Sequence, residues 1–383
     1  MTKKRSRIHD RPGMVRVYNT PAPERPDATQ PVGRRRSMRA FPERPAQPPR
    51  RGRAPAVLAG TAAALAGAAL YNTVQAMRTE RAHLPSGSFI RVDGVNLHYI
   101  DRGEGPAVLL LHGNVVDAED WIRSGIANWL VAKGLRVLAF DRPGFGFSDR
   151  PHDRAWTAAE QAELIHAALS RLDIGRVAAV GHSWGTLAAL ELALRHPDAV
   201  SGLVLLSGYY RPAARLDVPL VALDAVPVLG DLLRYTLSPF VTAALLPLTT
   251  KAMFAPRAVP QRFSEDFPHG FPLRPWQIRA EAQDAASMKS DAAALQDRYA
   301  ELRMPVTILA GAEDRIVDHV AHALWLHGRI PRSVRRVLPR TGHMLHYAVP
   351  DQVAAAVEDV MTGQGRPGVR PDAGEPHALV PEG

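Results

Sequence analysis

The 383-residue sequence contains no cysteine. That absence excludes disulfides, a thiolate nucleophile and thiolate-ligated metals, and it leaves the redox compartment open. Net charge is also lacking once the N-terminus is set aside. Residues 1–53 hold 15 Lys or Arg against 4 Asp or Glu, which leaves 32 against 34 for the other residues, so the formal +9 belongs to an arm. A near-neutral body argues against nucleic acid as a partner, and a basic arm fits the cytoplasmic face of a membrane. The arm is rich in Arg and Pro (Arg34-Arg35-Arg36, Pro48-Pro49) and has no apolar periodicity, so it is expected to be disordered. The Gly- and Pro-rich end, residues 362–383, is expected to be a loose tail.

One long run lacks charge altogether. Ala54 to Tyr71 has no ionisable group except the tyrosine, and the uncharged stretch continues to Met77. Its length suits a bilayer span, so residues 54–77 are expected to form a membrane anchor. Arg50, Arg51 and Arg53 crowd its N-terminal side, which places the N-terminus in the cytoplasm and the rest of the chain on the opposite side. The run is rich in Ala and Gly, and a surface helix on a cytoplasmic protein is the alternative. A cleavable signal is disfavoured because a long arm precedes it.

Beyond a short linker the chain alternates apolar strands with helical patterns. Ser88 to Val92 and Val95 to Arg102 flank Asp93-Gly94, a strong hairpin turn. Ala107–Leu111, Leu135–Phe140, Val177–Val180, Gly202–Leu206, Val306–Ala310 and Ser333–Leu338 are short and mostly apolar, as strands buried on both faces of a parallel sheet are. Helical patterns fall at Glu119–Lys133, Thr157–Leu172, Asp318–Gly328 and Asp351–Met361. Between 211 and 303 the rhythm breaks. Helix-like stretches (Asp231–Leu237, Phe240–Leu246, Gln277–Ser287, Asp291–Leu302) and many prolines read as a helical lid inserted between two core segments, 78–210 and 304–361.

The most informative stretch is Arg176 to Arg195, in which an apolar strand runs into Gly181-His182-Ser183-Trp184-Gly185 and then into a leucine-rich helix. A serine on such a turn projects its hydroxyl above the sheet edge, and the Trp184 amide opens a helix whose first N–H groups have no intrahelical partner. Acyl transfer from a hydroxyl needs a base, an acid to orient it and donors for the oxyanion, all at the carboxyl ends of strands. There the sequence offers Asp314, in Gly311-Ala312-Glu313-Asp314, and His343, in Thr341-Gly342-His343. Glu313 and His346 are their rivals.

With the turn at Ser183, His112-Gly113 after the third strand and the chain order serine, aspartate, histidine, the sequence resembles the α/β-hydrolase family over about residues 88–361. The resemblance implies a mostly parallel eight-stranded sheet flanked by helices, with a helical lid. It implies Ser183 as nucleophile, His343 as base, Asp314 as orienting acid, and the amides of Asn114 and Trp184 as oxyanion hole. It implies no metal and no organic cofactor. The pattern G-x-x-D-x-x-V at Gly311, Asp314 and Val317 favours Asp314 over Glu313, and Gly342-His343 followed by Pro350 favours His343 over His346. His112 is expected to brace its loop.

His112-Gly113-Asn114, Trp184 and the run Asp141 to Asp149 look like the dehalogenase and epoxide-hydrolase branch, in which an aspartate occupies the position of Ser183. A serine cannot displace halide as a carboxylate does. The expected activity is therefore hydrolysis of a carboxylic ester through an acyl-enzyme, with perhydrolase or carbon–carbon bond hydrolysis as alternatives, and a membrane-tethered binding module as the reading outside enzymes. Phe240, Met253, Phe254, Phe271 and Trp276 in the lid either receive a small-molecule substrate with an apolar acyl or alcohol group or simply pack the lid. The sequence leaves the oligomeric state open.

Overall fold

The strands take their place in the sheet from the distribution of their side chains. β5 (Val177–His182) and β7 (Val306–Gly311) are buried along their whole length, and β3 (Ala107–Leu111) and β6 (Val200–Leu206) nearly so. Strands of this kind must be covered on both faces. In the computed structural model, which describes residues 54–213 and 221–363, they form the middle of an eight-stranded sheet ordered β1-β2-β4-β3-β5-β6-β7-β8. β1 (Ser88–Val92) and β2 (Val95–Arg102) make a hairpin on Asp93 and Gly94, both at positive φ, and β2 pairs antiparallel with β4 (Arg136–Phe140). Every other pairing, out to β8 (Ser333–Leu338), is parallel.

Because side chains alternate along a strand, each strand feeds two cores. Leu109, Leu111, Ala179, Leu203, Leu205 and Ile308 face one layer with the helices Ala158–Arg171 and Gly185–Arg195. Val108, Leu110, Ala178, Val180, Val204 and Leu309 face the other, with Ile126–Ala132 and Pro350–Thr362. The order β4-β3-β5 sends the chain to opposite sides of β3. The crevice this reversal opens lies at the carboxyl ends of β3 and β5, where ligands bind in sheets of this type.

Between β6 and β7 lies the helical lid, with helices Leu229–Thr236, Ser238–Phe254, Gln261–Asp266 and Pro275–Leu295 among its described residues. It differs from the expected pattern in detail. Ser238–Phe254 runs through Pro247, and Pro275–Leu295 is one helix where two stretches are expected. Conversely, Glu119–Lys133 is two helices, Asp120–Arg123 and Ile126–Ala132, because Gly125 takes a left-handed φ of 85° between them. Asp318–Gly328 begins with a π-turn, Val320–Leu324, before the short helix Trp325–His327.

The apolar run beside the basic arm is helix α1 (Ala54–Ala82), which continues five residues past the expected end of the anchor and takes up most of the linker. By length and composition, Ala56–Ala82 is sufficient to cross a membrane. Its C-terminal half is seated on the lid. Asn72 Nδ2 donates to the carbonyls of Tyr235 (2.9 Å) and Thr236 (3.0 Å), Tyr71 stacks on Phe240, and Glu80 pairs with Arg274 at 2.8 Å. The expected disordered arm and most of the expected tail lie outside the described residues.

Candidate active site

Ser183 stands at the end of β5 with φ at 52°, a left-handed value that is strained for a residue with a Cβ. The turn holds it there. Its amide donates to Leu206 O on the neighbouring strand (2.9 Å), and its carbonyl accepts from Thr186 N and Thr186 Oγ1. The flanking glycines are dictated by close approach. A Cβ at Gly181 would lie 2.7 Å from Gly185 O and from Thr186 Cα, and one at Gly185 would run into the carbonyls of Leu111 and His112. β3 and the helix after Ser183 therefore meet backbone to backbone, which brings the loop of Asn114 alongside Ser183.

Asp314 and His343 come from the ends of β7 and β8. Asp314 Oδ1 accepts from the amides of Ile316 (2.8 Å) and Val317 (3.0 Å), and Oδ2 faces His343 Nδ1 at 2.9 Å. Burial opposes ionisation of this carboxyl, but the His343 ring and the two amides outweigh it and hold its pKa below the usual carboxylate value. The His343 amide donates to Met253 O at the end of a lid helix. Glu313 is otherwise occupied, since its Oε2 accepts from Thr341 N at 3.1 Å and shapes the loop before the histidine. His346 belongs to a separate buried pair with Asp120 (2.7 Å), whose other oxygen accepts from Tyr347 Oη.

Ser183, His343, Asn114 and Trp184 all line one cavity of about 700 Å³ beneath the lid. Its wall is mainly apolar, with Leu233, Leu237, Val241, Leu245, Ile278 and Met288. Of the five lid residues expected to receive an apolar group, Met253 alone lines it. Phe254 packs on Phe263 and Tyr347, Phe271 on Phe147, and Phe240 on Tyr71, while Trp276 lies near the Arg274 guanidinium. Those four aromatics stabilise the lid and its seat; aliphatic side chains form the pocket.

His112 is held at both nitrogens. Nδ1 donates to Gly113 O (2.6 Å) and Nε2 accepts from Arg142 N (2.9 Å), while burial, reinforced by the Arg142 charge, pulls its pKa down to about 4. It is a neutral brace. His182 donates from Nε2 to His343 O (3.0 Å), and burial, with the nearby rings of His346 and His343, keeps it well below the ordinary imidazole value.

Sequence reasoning misses the charged group behind the site. Arg142, two residues past the end of β4, is buried between the rings of Phe145 and Trp184, its guanidinium carbon 4.4 Å from each centroid. It donates to Asn114 Oδ1 (2.6 Å), to the carbonyls of His112 and Gly113, and to Asp284 Oδ2 (2.6 Å). Arg150 binds the other Asp284 oxygen at 2.9 Å, and the Trp184 indole N–H donates to Asp284 O at 3.0 Å. Glu281, one helical turn from Asp284, lines the cavity and accepts from Gln277 Nε2 and the Val115 amide. Burial pushes its pKa up to about 7. The only local signal for Arg142 is a charge at the carboxyl end of a buried strand.

Set against known proteins, the α/β hydrolase fold family matches residues 106–348. The chain belongs to this family. Among its relatives is a 2-hydroxymuconate semialdehyde hydrolase from Pseudomonas putida, 31% identical over 70% of this chain and 90% of that protein. Another is haloalkane dehalogenase 2 of Mycobacterium tuberculosis, 26% identical over 68% of this chain and 90% of its own. Among solved structures, a bacterial membrane phospholipase A shares the fold with a TM-score of 0.56 and 22% identity, covering 81% of this chain and 96% of its own. In this α/β hydrolase the side chains of Asn114 and Trp184, both on the cavity wall, already have partners. Trp184 Nε1 is committed to a backbone carbonyl, and Asn114 Oδ1 to Arg142.

Proposed function

We propose that this member of the α/β hydrolases cleaves carboxylic esters through an acyl-enzyme on Ser183. In this reading His343 takes the serine proton and returns it to the leaving alcohol. Asp314 fixes the ring with Nδ1–H directed at its carboxylate, which leaves Nε2 for the serine. The amides of Asn114 and Trp184 receive the oxyanion, the second of them at the start of a helix whose dipole favours negative charge. The reading rests chiefly on the 2.9 Å Asp314–His343 contact, with the ring and the strained serine on the wall of the same cavity.

Replacing Ser183 by Ala is expected to lower turnover of p-nitrophenyl esters by about a thousandfold or more and to abolish labelling by a fluorophosphonate. Undiminished turnover would reject the assignment, and an unlabelled wild type would favour a binding module with an idle site. The identity to the P. putida hydrolase supports a second reading, carbon–carbon bond hydrolysis by the same residues, which a dienone substrate panel distinguishes. Dehalogenation is disfavoured by a hydroxyl nucleophile and by the engaged Trp184 indole.

α1 is read as an anchor with its arginine-flanked end in the cytoplasm and the hydrolase domain on the far side. Resistance of the full chain to carbonate extraction is the expected result, and full release would place α1 on the protein surface instead.

A further inference from the structure

We propose that the outer face of the lid lies on the same membrane that α1 enters, and that the cavity draws its substrate from that bilayer as an ester with a long acyl chain. The proposal rests on the ester-hydrolase reading for the chemistry, but its placement on the membrane does not.

The lid carries an unusual amount of exposed apolar surface. Val228 is 80% exposed and Leu248 67%, and Leu229, Leu232 and Phe240 are close to half exposed. Scattered exposed leucines need no explanation, but a large group of them on one element marks an interaction surface. Over Leu229–Phe254 the charged residues are Asp231, Arg234 and Lys251, and the first two pair with each other. The helices Leu229–Thr236 and Ser238–Phe254, bent by 63° at their junction, together are as apolar as a membrane-crossing segment. A bent pair of this kind suits partial immersion in an interface.

α1 identifies the occupant. Its exposed apolar residues begin at Val57 and Leu58, and Tyr71 lies 14 positions beyond Val57, about 20 Å along the helix at 1.5 Å per residue. Tyr71 stacks on Phe240, and Asn72 is bonded to the last carbonyls of Leu229–Thr236. An α1 that enters the hydrocarbon with its first turns has therefore crossed most of the ~30 Å core by Tyr71, which brings Phe240 and the lid face to the far boundary of the bilayer. The inner and outer faces of the lid also merge. Leu237, Val241 and Leu245 line the cavity and are 56%, 43% and 50% exposed, so the mouth opens on the apolar side. A long acyl chain can pass from lipid to Ser183 along that surface without crossing water.

The absence of cysteine makes a direct test available. Leu232→Cys and Leu248→Cys, neither of which lines the cavity, would be labelled with an environment-sensitive fluorophore in the full chain reconstituted into phosphatidylcholine vesicles. Glu104→Cys, in an exposed turn, is the control, and thermal melts verify folding. Doxyl-labelled lipid is expected to quench positions 232 and 248 and to spare 104. Equal quenching at all three positions, or blue-shifted emission at 232 and 248 that doxyl lipid does not alter, would overturn the proposal; the second result would assign the face to another copy of the chain.

A second arm tests the route. Leu232→Ser with Leu248→Ser is expected to lower hydrolysis of a long-chain ester carried in the vesicles by about tenfold, while soluble p-nitrophenyl butyrate is turned over unchanged. A wild type active on the butyrate and inert toward the vesicle ester would refute the bilayer route while leaving the hydrolase intact. Loss of both activities on Ser183→Ala concerns the chemistry alone.

Discussion

At Asp314 the two carboxylate oxygens have different partners, two amides on one and an imidazole on the other. Asp314→Asn keeps an acceptor for the amides but can direct an NH₂ group at His343, which favours the wrong ring tautomer. The expected result is a fall in kcat of about 10⁴-fold with little change in the melting curve. Glu281 affects stability through pH. Its carboxyl, raised by burial from 4.5 to about 7, holds a proton in the folded chain that the unfolded chain has already released. Stability from this group therefore falls as pH rises through that window and levels off above it. Glu281→Gln removes the fall, so in urea titrations the variant is expected to gain on the wild type between about pH 5 and about pH 8.

The helix Pro275–Leu295 joins lid to core through Asp284, which bridges Arg142 and Arg150 as their shared counter-charge where all three are shut off from water. Asp284→Ala leaves two buried guanidinium groups without a counter-charge and is expected to cost about 3–5 kcal/mol in urea unfolding. Removing the unpaired charges by also replacing Arg142 and Arg150 with Met should recover part of it. Such pairings are invisible in the sequence, since Arg142 and Asp284 stand 142 positions apart and nothing local announces either. The strands were legible because the parallel ones are short apolar runs and the hairpin has an Asp-Gly turn. Helix ends were less so: Gly125 breaks a continuous helical pattern by its backbone angle, and Pro247 fails to break one. The position of Ser183, Asp314 and His343 at one edge of the sheet was readable because each follows a recognisable strand, whereas the lining of the cavity depends on how lid helices turn. Aromatics that look like pocket residues pack on other rings or, for Trp276, beside Arg274 instead.

For the molecule as a whole, α1, the lid and the hydrolase core form a chain of contacts from an anchor-length helix to the serine. The basic arm carries +11 and the other residues −2, so the net charge of the body gives it little long-range pull on an ionic ligand. That arrangement suits a substrate found by partitioning. The hydrogen bond from the His343 amide to Met253 O has a further consequence. The backbone that carries the His343 imidazole is tied to the last turn of a roof helix, so a tilt of the roof moves the loop on which the ring stands. In the ester-hydrolase reading, a guest bulky enough to push that helix aside also disturbs the group that moves the proton.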